Sequence, residues 1–412
     1  MKPVVVVGAG AAGLGAALRL AHGGCPVQVI DGAAGATALS CGAVDVTPWE
    51  DGDAGERVED EALQLLEGLG LHRVAGALLA TTAGILRGAG GADRALLDVG
   101  AWRGGTVLVP RTDHPGWDGG VLARSWSDTE TARARGLTFT AVDATLLRFR
   151  EERALCDADI AARHDDAARL GWLAERLREA LARHGRCVGV ILPPWLGVEA
   201  PRAEALSERV GLPCGEALSA LASAAGRRFE FARDRALARA GVSVRRGWVR
   251  RVVASSPWTV ELEDGEPLAA SAVVLAAGGL VGGGIAYDPS EAQVASEVPA
   301  QARPVFRTGI EAPGMLGAGG RPLELPGSLF GVPPESIAWP FARDPLMDRV
   351  GLLVDGAMRV KGAPGGLLAC GDLVADRPRT WLEAWRSGVR AGNALCGMLL
   401  GGEDVDLHDA RG

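Results

Sequence analysis

Lysine is almost missing from this chain of 412 residues: Lys2 and Lys361 are the only two, and arginine carries the rest of the positive charge. With high Ala, Arg and Gly, that shortage reads as the composition of a GC-rich genome and needs no functional explanation. Excess positive charge is missing too. Lys and Arg total 43 against 51 Asp and Glu, a formal net charge of −8, which argues against a general nucleic-acid binder. No two of the seven cysteines (Cys25, Cys41, Cys156, Cys187, Cys214, Cys370 and Cys396) form a C-x-x-C pair, and their number is odd. This excludes a ferredoxin-type iron–sulfur run, and no metal site is expected. Most of these cysteines read as small buried apolar residues in a reducing cytosol. A membrane-spanning run is also lacking. The longest uncharged stretch near the middle, Pro267–Tyr287, is broken by glycines. The apolar start runs straight into a glycine fingerprint, so it reads as a strand and not as a signal peptide. A cytoplasmic protein is expected, with peripheral attachment to the inner face of the membrane, through a partner, left open.

What is present is a packed soluble composition, 48% hydrophobic and 23% charged. The length suggests about two or three domains at roughly 150 residues each. The organising stretch is VVVVGAGAAGLGAALRLAHGGCPVQVID, residues 4–31. Four valines read as a doubly buried strand. Gly8, Gly10 and Gly13 then give G-x-G-x-x-G, Ala11–Ala21 reads as a helix, and Val27–Ile30 is a second strand closed by Asp31. Gly8 allows the tight turn, Gly10 lets the backbone approach a pyrophosphate, and Gly13 lets helix and strand pack closely. The helix N-terminus offers N–H groups and a positive dipole end to phosphates. Asp31 can accept hydrogen bonds from an adenosine ribose. A dinucleotide site is expected here.

Further along, 32–50 is a small-residue loop in which Thr37, Ser40 and Gly42 could bond a phosphate or the edge of a flavin ring, or merely form a βα loop. Residues 54–90 carry helix signals, with Ala62, Leu65, Leu66 and Leu69 at helical spacing. Residues 95–127 read as short β runs at Ala95–Val99, Gly105–Pro110 and Gly120–Trp126. Trp102, Trp117 and Trp126 among them form either a pocket lining or the core of a small sheet. His114 is a lone candidate base or a surface residue. Ala167–Arg183 is an amphipathic helix with Leu170, Leu173, Leu177 and Leu181 on one face. Val188–Leu192 is a strand broken by Pro193-Pro194-Trp195-Leu196-Gly197, either a ligand loop or a chain reversal. Ala217–Leu221 and Phe229–Ala240 read as helical. Arg227, Arg228, Arg233 and Arg235 form a solvated face or, alternatively, a phosphate contact. A β-meander follows that includes Val249, taken with the cofactor-binding set. Ser271–Gly279, SAVVLAAGG, is an apolar strand whose Ala277 and Gly278 let the chain pass close to a pyrophosphate. Residues 288–345 are Pro-rich, with Arg303, Arg307, Arg321 and Arg343 as charged candidates. Gly366–Asp372 is a strand closing in Gly371-Asp372, which brings a carboxylate to the ribityl hydroxyls of a flavin. Trp381–Leu400 is a long helix with Ser387 and Gly388 allowing close approach. FAD is expected in preference to FMN, because the first fingerprint with Asp31 suits an adenosine ribose.

These residues resemble the flavoprotein B-subunit family of anaerobic glycerol-3-phosphate dehydrogenase, nearly end to end. The stretches at 4–18, 273–285 and 367–375 are general to flavoproteins. GATALSCGAVDV at 35–46 and ILPPWLGV at 191–198 with Gly211-Leu212-Pro213-Cys214 are more particular to that family, and FARDRALARAGVSVRRGWVRRV at 231–252 is a further match. The resemblance implies a flavin, a catalytic flavoprotein subunit and an iron–sulfur subunit as partners, and electron flow from sn-glycerol 3-phosphate to membrane quinone. No catalytic residue is assigned. ADRPRTWLEAW at 375–385 departs from the glycine-rich stretch usual there; Trp381, Glu383 and Trp385 shield the flavin ring or block one side of it. A relay or assembly subunit without substrate chemistry, and a flavoprotein oxidoreductase with another substrate, stand as the alternatives. The expected fold is α/β, a Rossmann-like FAD-binding domain from residues 1–95 and 241–412, with an inserted α+β cap or substrate domain at 96–240.

Overall fold

Val4–Val7 forms the central strand β1, every valine buried. Such burial of a valine is worth about 1.5–3 kcal/mol, which is why four in a row specify a strand covered on both faces. In the computed structural model the chain is described over residues 2–44, 69–219, 223–287, 306–317 and 349–400. It divides into two units, Met1–Ala36 with Leu237–Gly412, and Thr37–Ala236.

The first unit is built on a five-stranded parallel sheet. β1 is followed by helix α1 (Ala11–His22) and strand β2 (Val27–Asp31); β3 (Ser243–Arg246), β4 (Ala272–Leu275) and β5 (Leu367–Ala369) come from the far end of the chain. The order is β3-β2-β1-β4-β5, with Val4 opposite Ala272 and Val27, and Val273 opposite Leu367. An antiparallel ribbon, Val249–Val253, Trp258–Leu262 and Leu268–Ala270, joins β3 to β4. The last helix, α2 (Trp381–Leu400), lies against α1. Small residues make this approach possible: a Cβ on Gly388 would stand 2.0 Å from the Ala12 carbonyl oxygen, and one on Gly15 would stand 3.0 Å from that of Trp385.

The second unit carries a four-stranded parallel sheet ordered Leu137–Asp143, Gly105–Arg111, Gly189–Leu192, Cys214–Glu216. Leu170, Leu173 and Leu177 of the helix Ala167–Leu181 cluster with Leu108, Val190 and Leu192, as the leucine spacing predicts; Leu181 packs at the edge. In a second cluster Trp126 meets Phe139 and Trp117 at ring-centroid distances of 5.5 and 6.1 Å. The indole N–H groups of Trp126 and Trp117 donate to the carbonyls of Thr81 and Pro110, so the aromatics are core and not a pocket lining. A separate three-stranded antiparallel sheet pairs Ala43–Val44 and Leu71–Ala80 with Leu86–Asp93.

Several expectations are corrected here. Leu71–Ala80 and Leu86–Asp93 are strands, not helix; their Ala and Leu content suits a helix, but cross-strand pairing overrides propensity. Ala62, Leu65 and Leu66 lie outside the described residues. Gly120–Trp126 lies in a helix, Gly119–Ser127, because the Asp118 carboxylate caps the N–H groups of Gly120 and Val121. Ala95–Val99 is not a strand but leads into a short 3₁₀ turn capped by Asp98. Ala217 and Leu218 continue an extended chain, with Leu218 bridged to Thr81, rather than a helix; Leu221 lies outside the described residues. The first boundary between units falls after Ala36 instead of after residue 95, because the strands of 43–93 pair with one another and pack with Leu96 and Leu218 of the second unit. The second falls at Leu237, inside the helix Ala224–Arg239.

Candidate cofactor site

All five strands of the first unit run in one direction, so their carboxyl ends share an edge, the usual place for ligands in such a sheet. Gly8 follows β1, Asp31 closes β2, Ala276–Gly279 follow β4, and Gly371 with Asp372 follow β5. Gly8 has φ +106°, and a Cβ there would meet the Ala276 carbonyl oxygen at 2.2 Å. Glycine is therefore required on both conformational and steric grounds. A Cβ on Gly13 would stand 1.9 Å from the Gly8 carbonyl oxygen, so α1 can start this close to the turn only on a glycine. Gly10 is the N-cap of α1 and no side chain caps it, so backbone amides head the helix.

Asp31 is buried, and its Oδ2 pairs with Arg246 Nη1 at 2.6 Å; these two residues are register partners of β2 and β3. At the other side of β1, Gly371 has φ +72° and donates its N–H to Ser387 Oγ at 2.9 Å. Ser387 in turn donates to the Ala384 carbonyl, so it holds the turn before Asp372 against α2. A Cβ on Gly279 would lie 2.9 Å from Asp372 Cβ and 2.7 Å from Arg379 Nη1, which puts the turn after β4 directly on the β5 turn. Burial pushes the Cys370 thiol up to about 12, so it stays protonated at this edge and is no nucleophile.

The structure thus gathers Gly8, Gly10, Gly13, Asp31, Ala277, Gly278, Gly371 and Asp372 at one sheet edge within the first unit. Val249 is buried in the ribbon opposite Leu262, and Gly388 is a helix-packing position on Ala12. Thr37, Ser40 and Gly42 belong to the second unit. There Gly42 N–H donates to Ser40 Oγ, and the Ser40 carbonyl accepts from Ser223, next to the helix Ala224–Arg239. Trp385 is fully buried and stacked on Trp381 with 18° between the rings, and Glu383 pairs with Arg377 at 2.7 Å. Trp385 therefore belongs to the packing of α2. The cradle, two side-chain carboxylates at strand ends and the amide-headed helix fit a dinucleotide that carries a ribityl chain.

Two other candidates have different roles. Both ring nitrogens of His114 are engaged, Nε2–H with the Leu155 carbonyl at 3.0 Å and Nδ1 with the Gly116 N–H at 3.2 Å. Arg228 and Arg233 are buried, which corrects the solvated-face reading for that pair; Arg227 stays exposed and pairs with Glu230. Arg228 binds Glu216 through two nitrogens at 3.2 and 2.5 Å, Asp93 at 3.0 Å and the Gly197 carbonyl at 2.5 Å. Glu216 also accepts the Leu196 N–H, and Asp165 accepts those of Val198 and Glu199. The Pro193–Gly197 loop is thus pinned by buried charges and serves as a chain reversal. Burial pushes the Glu216 carboxyl up while Arg228 pulls it back; Arg228 itself is held above its ordinary value by Asp93 and Glu216, against the cost of its burial. Sequence reasoning missed Asp93, Asp165 and Glu216, because their partners come from other elements of the fold. Arg303, Arg321 and Arg343 lie outside the described residues; Arg307 sits in a short strand, Phe306–Thr308.

Residues 3–88 match the family model for the FAD binding domain. No curated protein sequence matches the chain. Among solved structures, iminodiacetate oxidase from Chelativorans sp. BNC1 is 16% identical over 97% of this chain and 95% of its own, with a TM-score of 0.33. Glycine oxidase from Geobacillus kaustophilus is 14% identical over 97% and 93%, with a TM-score of 0.29. The likeness to peptidyl tryptophan dihydroxylase QhpG, 17% identical with a TM-score of 0.24, covers 68% of this chain but only 33% of that protein. The family match, together with the sheet-edge geometry, gives a Rossmann-like α/β FAD-binding fold with FAD as the cofactor. Among the described residues no helix is long and apolar enough to cross a membrane.

Proposed function

We propose that the chain is a FAD-dependent oxidoreductase subunit of the kind found in anaerobic glycerol-3-phosphate dehydrogenase, moving electrons from sn-glycerol 3-phosphate through its flavin towards quinone. The observation that carries the FAD part is the gathering of Gly8, Gly13, Asp31, Gly371 and Asp372 at one sheet edge. The substrate rests on the resemblance of the segments at 35–46, 191–198 and 231–252. On this reading the amides heading α1 hold the pyrophosphate, Asp31 accepts from the adenosine ribose and Asp372 accepts from the ribityl hydroxyls. FAD, when bound, supplies the two-electron acceptor for hydride from C2 of the substrate. The chain's own contribution is to bind and orient it with a preorganised backbone, which avoids the cost of ordering that backbone at the moment of binding. The partners on this reading are a catalytic flavoprotein subunit and an iron–sulfur subunit, at the inner face of the membrane.

The test is a visible spectrum of the purified protein, followed by anaerobic addition of sn-glycerol 3-phosphate. Flavin bands that bleach support the proposal. Bands that persist overturn the substrate and favour a relay role or another substrate. A protein that stays colourless after incubation with FAD overturns the cofactor reading as well.

A further inference from the structure

Among the described residues of the first unit, Trp248 differs from Trp385 and Trp258 in its exposure. Trp385 is fully buried and Trp258 is buried in the ribbon, whereas Trp248 keeps 54% of its surface open. It stands two residues beyond the end of β3, on the same carboxyl edge that carries Asp31. Its backbone is fixed from both sides: Gly247 N–H donates to the Asp31 carbonyl at 3.2 Å, and Glu263 N–H donates to the Trp248 carbonyl at 2.8 Å. Its indole lies directly over Gly32, the residue after Asp31. A Cβ on Gly32 would come within 2.8 to 3.1 Å of three indole carbons, so the ring can lie this low on the chain only over a glycine. The buried Asp31 carboxylate is oriented beside it by Arg246, whose side chain is 66% exposed.

An exposed indole lying over the residue next to a carboxylate suited to a ribose is an arrangement that a purine can use. The sugar hydroxyls are met by the acid, and the base attached to that sugar has a π-surface within reach. We infer that Trp248 is the platform on which the adenine of FAD stacks, with Gly32 as the residue that lets the indole lie there and Arg246 as the group that positions Asp31. The inference rests on the FAD assignment and adds a specificity-determining residue to it: adenine end and flavin end are read by different parts of the same sheet edge. The ribbon's register with its neighbouring strand shifts between Val249 and Arg251, immediately after the indole, and this irregularity turns the chain there.

The experiment is a titration of the flavin-free full-length protein with FAD, read by quenching of flavin fluorescence, for the wild type, Trp248→Phe and Trp248→Leu. Leucine keeps apolar cover over Gly32 but has no π-face; phenylalanine keeps a face. Loss of base stacking on an aromatic is worth about 1–3 kcal/mol, so the leucine variant is expected to weaken FAD binding by roughly 5- to 150-fold, and the phenylalanine variant by less than about threefold. An unchanged Kd in the leucine variant overturns the inference. So does an equal loss in both variants, since a stacking role requires the phenylalanine to restore binding. A wild-type protein that takes up no FAD sinks the cofactor assignment itself, and this inference with it, before any variant is compared.

Discussion

Lowering the pH from 7 to 5 should loosen the second unit through one buried residue, His164. This side chain is fully buried at the C-cap of the helix Asp157–Arg163, and its Nδ1–H donates to the Trp195 carbonyl at 2.8 Å. Burial lowers its pKa from 6.5 to about 4, helped by the neighbouring Arg169 guanidinium and opposed by the Trp195 bond and by Glu152 and Asp165. The folded value lies below the unfolded one, so the native state refuses a proton that the unfolded state accepts. The stability is complete above about 6.5 and is lost as pH falls towards 4. Between pH 7 and 5 the two values give a loss of about 2 kcal/mol, or roughly twentyfold in the opening equilibrium. Because the chain has two units, a global melt need not be two-state. Hydrogen exchange of the peptide containing Ala167–Leu181 reads the second unit alone. Wild type and His164→Gln are compared at the same pH, where intrinsic exchange rates and common carboxylate titrations cancel. Glutamine can still donate to Trp195 but does not titrate. The protection ratio of wild type to variant should fall about twentyfold between pH 7 and 5; a ratio that does not move with pH would refute the argument.

Other perturbations test the remaining parts. Arg228→Met strands the buried carboxylates of Asp93 and Glu216, and should cost about 3–5 kcal/mol in urea unfolding; a cost under 1 kcal/mol would mean that those carboxylates find protons or water easily. Gly13→Ala forces a Cβ to 1.9 Å from the Gly8 carbonyl oxygen and should cut the FAD content of the purified protein sharply, with protein-bound flavin absorbance as the measure. Saturating FAD at a hundred times its Kd should stabilise the first unit by about 2.7 kcal/mol, read as a raised melting temperature; peptides of the second unit that follow its opening by hydrogen exchange show whether the effect stays local.

The parts of the fold legible in the sequence are those whose signal is local. β1, α1 and β2 announce themselves by four valines, three spaced glycines and a closing acid. The strand before Ala276 and the helix Trp381–Leu400 are equally plain. What stayed hidden depends on distant partners. Leu71–Ala80 has helix-forming composition and becomes a strand only because Leu86–Asp93 lies beside it. Arg228 sits next to Arg227, which does face water, and nothing near it in sequence shows that Asp93, more than a hundred residues earlier, will bury it. The cofactor glycines could be named in advance because backbone geometry dictates them. The role of Ser387, which holds Gly371, needed α2 to be placed against the β5 turn.

The discontinuous sheet of the first unit also sets an order of events during synthesis. β1 and β2 leave the ribosome early, but their partners β4 and β5 follow only after more than two hundred intervening residues. At about 5–20 residues per second, completing the sheet through Ala369 takes roughly tens of seconds. The second unit is contiguous and can begin to fold in that interval. Until then β1 has one open edge and an apolar surface of valines, and the cradle between Gly8 and Gly371 does not exist. FAD is therefore a late addition to a nascent chain, and the valine strand waits with its apolar surface uncovered in the meantime.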